Sequence, residues 1–346
     1  MDHRTASLVM TLYLAPFVLV AIPAGIAADR FGVMVTGRAG MVTMLLGTLV
    51  TLAAPSLPLV LAGRAIAGAG SGFLLVGVLK VGTEAIPRAQ LGLALGIFAA
   101  GLPAGTGVAF NLLRPLAQLG GWRLGLLAAG GLVLGAAAVF EFLASRWTQR
   151  AGPSVDPRLA LKSAELWRLS IVTVLGYAAI LGFTTWAPTT LVAFARIPLW
   201  AASLIASMLL IIDIPFAPMW GAVSDRIGRR RPFVIAAFTV YLIGSLLVPW
   251  VARTHTVAPL VLVIAGMGIG CAMFFPAALT IPAETVTKER VGAAYGLFFT
   301  AQVIGMLAGP VLIGQLLDTG TPALAFFGVS GVTALGLAAA FTLRSR

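Results

Sequence analysis

The sequence predicts an all-α, multi-span membrane protein built as two related bundles, and three observations predict it. First, 60% of the 346 residues are hydrophobic and 10% are charged, with a mean hydropathy of +1.03 that no water-facing globule could display. Second, eleven apolar runs approach the roughly 20 residues needed to cross a hydrocarbon layer about 30 Å thick, where backbone groups must bond within the segment and so form helices. Third, the octapeptide GIAADRFG at 25–32 returns as GAVSDRIG at 221–228, each copy between two apolar runs.

The first run, 7–28, follows Arg4 and ends at Asp29-Arg30 without a small-residue cleavage site, so it reads as a permanent span rather than a removable leader. The second, 39–56, opens beyond the octapeptide. The third, 59–80, carries Arg64 about one turn in, then Gly68, Gly70 and Gly72. The fourth, 91–113, holds Gly96, Gly101, Pro103, Gly105 and Gly107, and the fifth is 124–144. The polar stretch 145–166, with Gly152, Pro153, Asp156 and Pro157, is the one long linker, which places an amino-terminal bundle at 1–144 and a carboxy-terminal bundle at 167–346. Six runs follow: 167–188, 199–221 with Asp213 inside, 233–252, 257–281, 292–316 and 323–343. The 40 Gly and 20 Pro would count against a soluble helical protein, but in lipid neighbouring helices satisfy freed backbone groups and small residues permit close packing.

A formal charge of +12 could suggest nucleic acid, yet its distribution points to a bilayer. Counted over alternate loops, 17 Lys and Arg fall on one side and 5 on the other, with Arg64 inside a span. Positive residues mark the cytoplasmic side, so in a cell membrane the carboxy terminus is expected in the cytoplasm and Met1 outside. The lone Cys271 and the isolated His3 and His255 offer no metal site, no cofactor motif is present, and no catalytic triad or paired-carboxylate arrangement suggests an enzyme.

The second octapeptide is preceded by two spans and the first by one. With an offset of 196 residues, the counterpart of the sixth span falls before residue 1, so a twelfth, leading helix is expected to be missing from the given chain. Further echoes fix the duplication: 66–72 with 264–270, and Glu84, Gly92, Ala94, Gly96, Phe98 with Glu284, Gly292, Ala294, Gly296, Phe298. On these residues the chain resembles a major facilitator superfamily transporter over its length apart from that helix, with a weaker similarity to the cyanate and nitrate-type permease branches. In that family the repeated motif is a loop flanked by helices. The second copy is complete, with Arg229, Arg230 and Arg231, whereas the first has Val33-Met34-Val35-Thr36 where basic residues usually stand. The resemblance implies a secondary transporter working by alternating access, its substrate bound near the midplane between bundles and its partners a small solute, a proton and the lipid bilayer.

Two residue sets are then candidates. Gly25, Asp29, Arg30, Gly32 and Arg38, with Gly221, Asp225, Arg226, Gly228, Arg229 and Arg230, are expected to gate. Glu84 and Glu284 should pair with Arg30 and Arg226 in breakable surface bridges worth about 0 to 1 kcal/mol, more if part-buried. A charge cluster that merely orients the loop is the plainer reading. Within spans, Arg64 is an expected anion contact and Asp213 the expected proton carrier, with Tyr177, Trp186, Asn111 and Gln302 as further cavity residues. Glu141 should only reach for the interface. A small anion is the favoured substrate; drug or metabolite efflux and a non-transporting remnant are the alternatives.

Overall fold

The structure, a computed structural model, describes residues 3–109, 114–144, 156–318 and 322–344. Among these are twelve α-helices: α1 (His3–Phe31), α2 (Val33–Ala53), α3 (Leu57–Ala85), α4 (Leu91–Val108), α5 (Arg114–Ala144), α6 (Ala164–Ala195), α7 (Leu199–Ile211), α8 (Asp213–Ile227), α9 (Arg231–Ala252), α10 (Val257–Thr285), α11 (Val291–Leu317) and α12 (Pro322–Ala340). They make eleven segments long and apolar enough to cross a membrane, because α7 and α8 form one segment interrupted only at Ile212. The interruption lies just ahead of Pro215, whose missing N–H leaves a gap in the hydrogen-bond ladder.

The expected loop at the first octapeptide is almost entirely helical. α1 runs to Phe31, Gly32 alone breaks the helix with φ 90°, and α2 starts at Val33, six residues ahead of the expected span. A lone glycine suffices because it reaches backbone angles that a Cβ forbids. Thr36 then closes the first turn of α2, donating N–H and Oγ1 to the Gly32 carbonyl. The second octapeptide ends likewise, at Gly228 with φ 68°.

The chain packs as two compact units, each drawing on both halves of the sequence. One comprises Met1–Ala85, Gly105–Lys162 and Val286–Thr300. Here α3 packs on both α1 and α2. A Cβ on Gly68 would run into the Tyr13 backbone, so small residues set the helix spacing. α5 kinks at Gly120 and Gly121 and is the least buried span, 6% of its most apolar stretch being inside. The described end of the linker, a 3-10 turn at Pro157–Lys162, packs on α1 and on the turn Lys288–Arg290.

The other unit comprises Ile86–Ala104, Ser163–Thr285 and Ala301–Arg346. Its central element is α6, capped at its start by Ser163 and packed against α7, α9, α10 and α12. Tyr177, Phe238, Phe274 and Phe275 interlock there at edge-on and tilted angles. In lipid such van der Waals fit, rather than water exclusion, holds helices together.

Candidate functional site

The two octapeptides build the same device. An α-helix begins with N–H groups that have no partner inside it and carries a positive partial charge there, so a carboxylate brought to that point accepts charge-assisted hydrogen bonds. Asp29, near the end of α1, takes the N–H of Gly292 at 2.9 Å and of Ala293 at 2.8 Å, the first turn of α11. Asp225, near the end of α8, takes the N–H of Gly92 at 2.8 Å and of Leu93 at 2.9 Å, the first turn of α4. Each clamp joins a motif from one half of the sequence to a helix start from the other.

The glycines make this approach possible. A Cβ on Gly25 would strike the Gly292 carbonyl and one on Gly221 would strike that of Gly92, so both crossings are backbone against backbone. The first contact continues turn by turn, through Ala21 against Gly296 to the rings of Phe17 and Phe299 at 6.3 Å. The second continues through Ala217 against Gly96. Gly92 and Gly292, noted in the sequence only as echoes, are thus the motif's receptors.

The cations differ from expectation. Glu284 pairs with Arg230 at 3.0 Å, not with Arg226, and Arg230 also holds Asp225 at 2.7 Å and Ser224 Oγ at 2.6 Å. In the first clamp Lys80 of α3 reaches Asp29 at 2.5 Å, the Ala28 carbonyl at 3.1 Å and Glu84 at 3.8 Å. Arg30 and Arg226 come next after their aspartates on helices, so they point away from them, and both are exposed, as is Arg229. The bridges are also not at the surface: the Asp29 and Lys80 side chains are 1% and 3% exposed. Arg38 leaves the clamp altogether and grips Glu141 of α5 at 2.7 and 2.8 Å, giving that glutamate a partner rather than a free reach to the interface.

Away from the clamps, the second unit holds several buried polar atoms without a hydrogen-bond partner among the described residues. Asp213, the first residue of α8, is 1% exposed and neither carboxylate oxygen has a hydrogen-bond partner among the described residues. A buried carboxylate in that condition is costly unless a proton or a cation neutralises it. Tyr177 and Cys271 lie near enough to feel its charge. Thr173 Oγ1 and Gln302 Oε1 are likewise buried without partners. Gln302 stands one turn before Gly305, which packs on Val174 and Tyr177 of α6. Trp220 Nε1, part of α8, is a further such atom. Sequence reading missed Thr173 and Trp220, since neither residue type is unusual within a span.

Trp186 is committed to packing: its indole donates to the Pro310 carbonyl at 2.8 Å and its ring covers Gly314. Asn111 lies outside the described residues. In the first unit, the Arg64 guanidinium stacks over the Tyr13 ring at 4.5 Å, and its Nε is buried without a hydrogen-bond partner among the described residues. Such stacking leaves the in-plane N–H groups directed past the ring.

The Major Facilitator Superfamily profile matches residues 1–212 and again 196–346. The Probable nitrate/nitrite antiporter NarK1 of Thermus thermophilus is 28% identical over 88% of this chain and 75% of its own length. The Lysosomal dipeptide transporter MFSD1 of Gallus gallus is 25% identical over 45% of this chain; the match spans 34% of the length of that relative. Among solved structures, the proton:xylose symporter XylE aligns with 100% of this chain and 88% of its own, with a TM-score of 0.80 at 12% identity, a likeness of fold.

Proposed function

Because the chain belongs to the Major Facilitator Superfamily, we propose that it carries a small anion across a cell membrane by alternating access, coupled to protons through Asp213. It is a multi-pass secondary transporter. The finer reading rests on one observation above the others, the carboxylate of Asp213 buried inside a span with both oxygens unpartnered among the described residues. A group placed so has two stable conditions, neutral when sealed and charged when water reaches it, which is what coupling requires.

Arg64 supports the anion, being a cation within a span whose Nε lacks a hydrogen-bond partner among the described residues, and so does the similarity to a nitrate/nitrite antiporter. The moving bodies are residues 1–144 and 167–346, joined by 145–166, and the side bearing the octapeptides is cytoplasmic, as is the carboxy terminus. Both aspartate clamps cross between these halves, so both must release for that side to open. Their cost is graded for this: two charge-assisted bonds each is a few kcal/mol, small enough to break in a transport cycle.

Purified protein in proteoliposomes, offered nitrite, nitrate or a dipeptide under an imposed pH gradient, tests the reading. Nitrite or nitrate flux that follows the gradient, and that D213N uncouples from it while exchange persists, is the expected result. Dipeptide flux alone would favour a substrate like that of MFSD1. Gradient-driven flux unaffected by D213N would remove Asp213 from the mechanism.

A further inference from the structure

The first octapeptide reads as eroded, because Val33, Met34, Val35 and Thr36 stand where its twin continues with Arg229, Arg230 and Arg231. We propose that Lys80 replaces the missing loop base, so that the first clamp is complete, its cation supplied by α3 instead of by the octapeptide segment. The inference rests on the gating role given to the clamps above.

The replacement can be followed position by position. At the repeat offset of 196 residues, Ser224 corresponds to Ala28, Asp225 to Asp29 and Arg230 to Met34. The register that matches Glu284 with Glu84 sets Thr280 against Lys80. In the second unit the cation comes from the octapeptide's own continuation: Arg230 bonds Asp225, Glu284 and the Ser224 hydroxyl. Its counterpart for Lys80, Thr280, turns its hydroxyl back on the Pro276 carbonyl of its own helix.

In the first unit all of these change together. Met34 has no charge, Ala28 has no hydroxyl, and Lys80 fills the space with one ammonium. That ammonium bonds Asp29, takes the Ala28 backbone carbonyl in place of the lost hydroxyl, and stands 3.8 Å from Glu84. Both units therefore hold an aspartate, a cation and a glutamate in the same order, with the aspartate oxygens aimed at a helix start. A buried aspartate without a cation would be left uncompensated, which is why loss of the loop base calls for a substitute from a neighbouring helix. The two arrangements differ in where the cation is rooted. Arg230 moves with the segment after α8, whereas Lys80 ties α1 directly to α3.

The test is to give the first unit a base at the place where the second unit has it. In a C271A background, a reporter cysteine at the buried Ala293, whose N–H meets Asp29, is labelled with a membrane-permeant thiol reagent in native membranes. K80M is expected to raise the labelling rate on the order of tenfold, within the usual range of coupling between two states. Adding M34R with A28S, which rebuilds the second unit's chemistry in the first, is expected to return the rate to that of the parent. The restored variant also shows that K80M has not simply failed to fold.

K80M labelled at the parent rate while D29N is labelled faster would overturn the role of Lys80 and leave the clamp standing. K80M labelled faster with no restoration by M34R and A28S would overturn the replacement. D29N and K80M both labelled at the parent rate would remove the gating reading itself.

Discussion

Asp29 shows how much one residue can carry. Its carboxylate satisfies two helix-start N–H groups and a buried ammonium at once. D29N keeps the shape but leaves Lys80 buried and without its countercharge, a change that costs about 3 to 5 kcal/mol. A drop in melting temperature of purified D29N larger than that of E84Q is the expected outcome, since Glu84 stands farther from the ammonium and is more exposed. Glycines divide in the same way. Gly25 has no room for a methyl group, whereas nothing lies within 4 Å of one added at Gly101. G25A should lose about 1 to 3 kcal/mol, as overpacked sites do, and G101A should melt with the wild type. The motif's Gly and Asp were legible because they repeat. Lys80 and the receptor N–H groups of Gly92 and Gly292 were not, because partners 51, 133 and 263 residues away leave no mark in local spacing.

Helices were the most legible level, since 20 apolar residues in lipid admit few alternatives. All eleven expected spans have a helical counterpart, α7 and α8 together standing for one. What the sequence hid was where charged residues join helices rather than end them. The Asp-Arg pair and the residues after it looked like a loop, yet Gly32 alone interrupts the helix. Because Gly32 holds φ 90° and ψ 157°, a region closed to other residues, G32A should cost about 1 to 3 kcal/mol. A denaturation midpoint for G32A equal to that of wild type would show that the break forms elsewhere. At Asp213 the element matters as much as the residue. The start of α8 sets the carboxylate in its first turn, on a helix packed against α10, a placement that hydropathy alone could not give.

At the scale of the whole molecule, the two clamps have one consequence. Each motif comes from one half of the sequence and each receptor helix from the other, so under the proposed gating role the two halves part only when both clamps release. Release of both should be cooperative, with D29N and D225N non-additive in any measure of opening. Family membership makes transport the frame, and the clamps and Asp213 make two separable claims within it: what opens, and what couples opening to an ion. The first is the central one, and the distance between spin labels at the exposed Arg30 and Arg226, each replaced by cysteine in a C271A background, tests it most directly. D29N together with D225N is expected to move the distance distribution to longer values than either substitution alone. A distribution that stays where it is in the double variant, in protein that still folds, would contradict that claim.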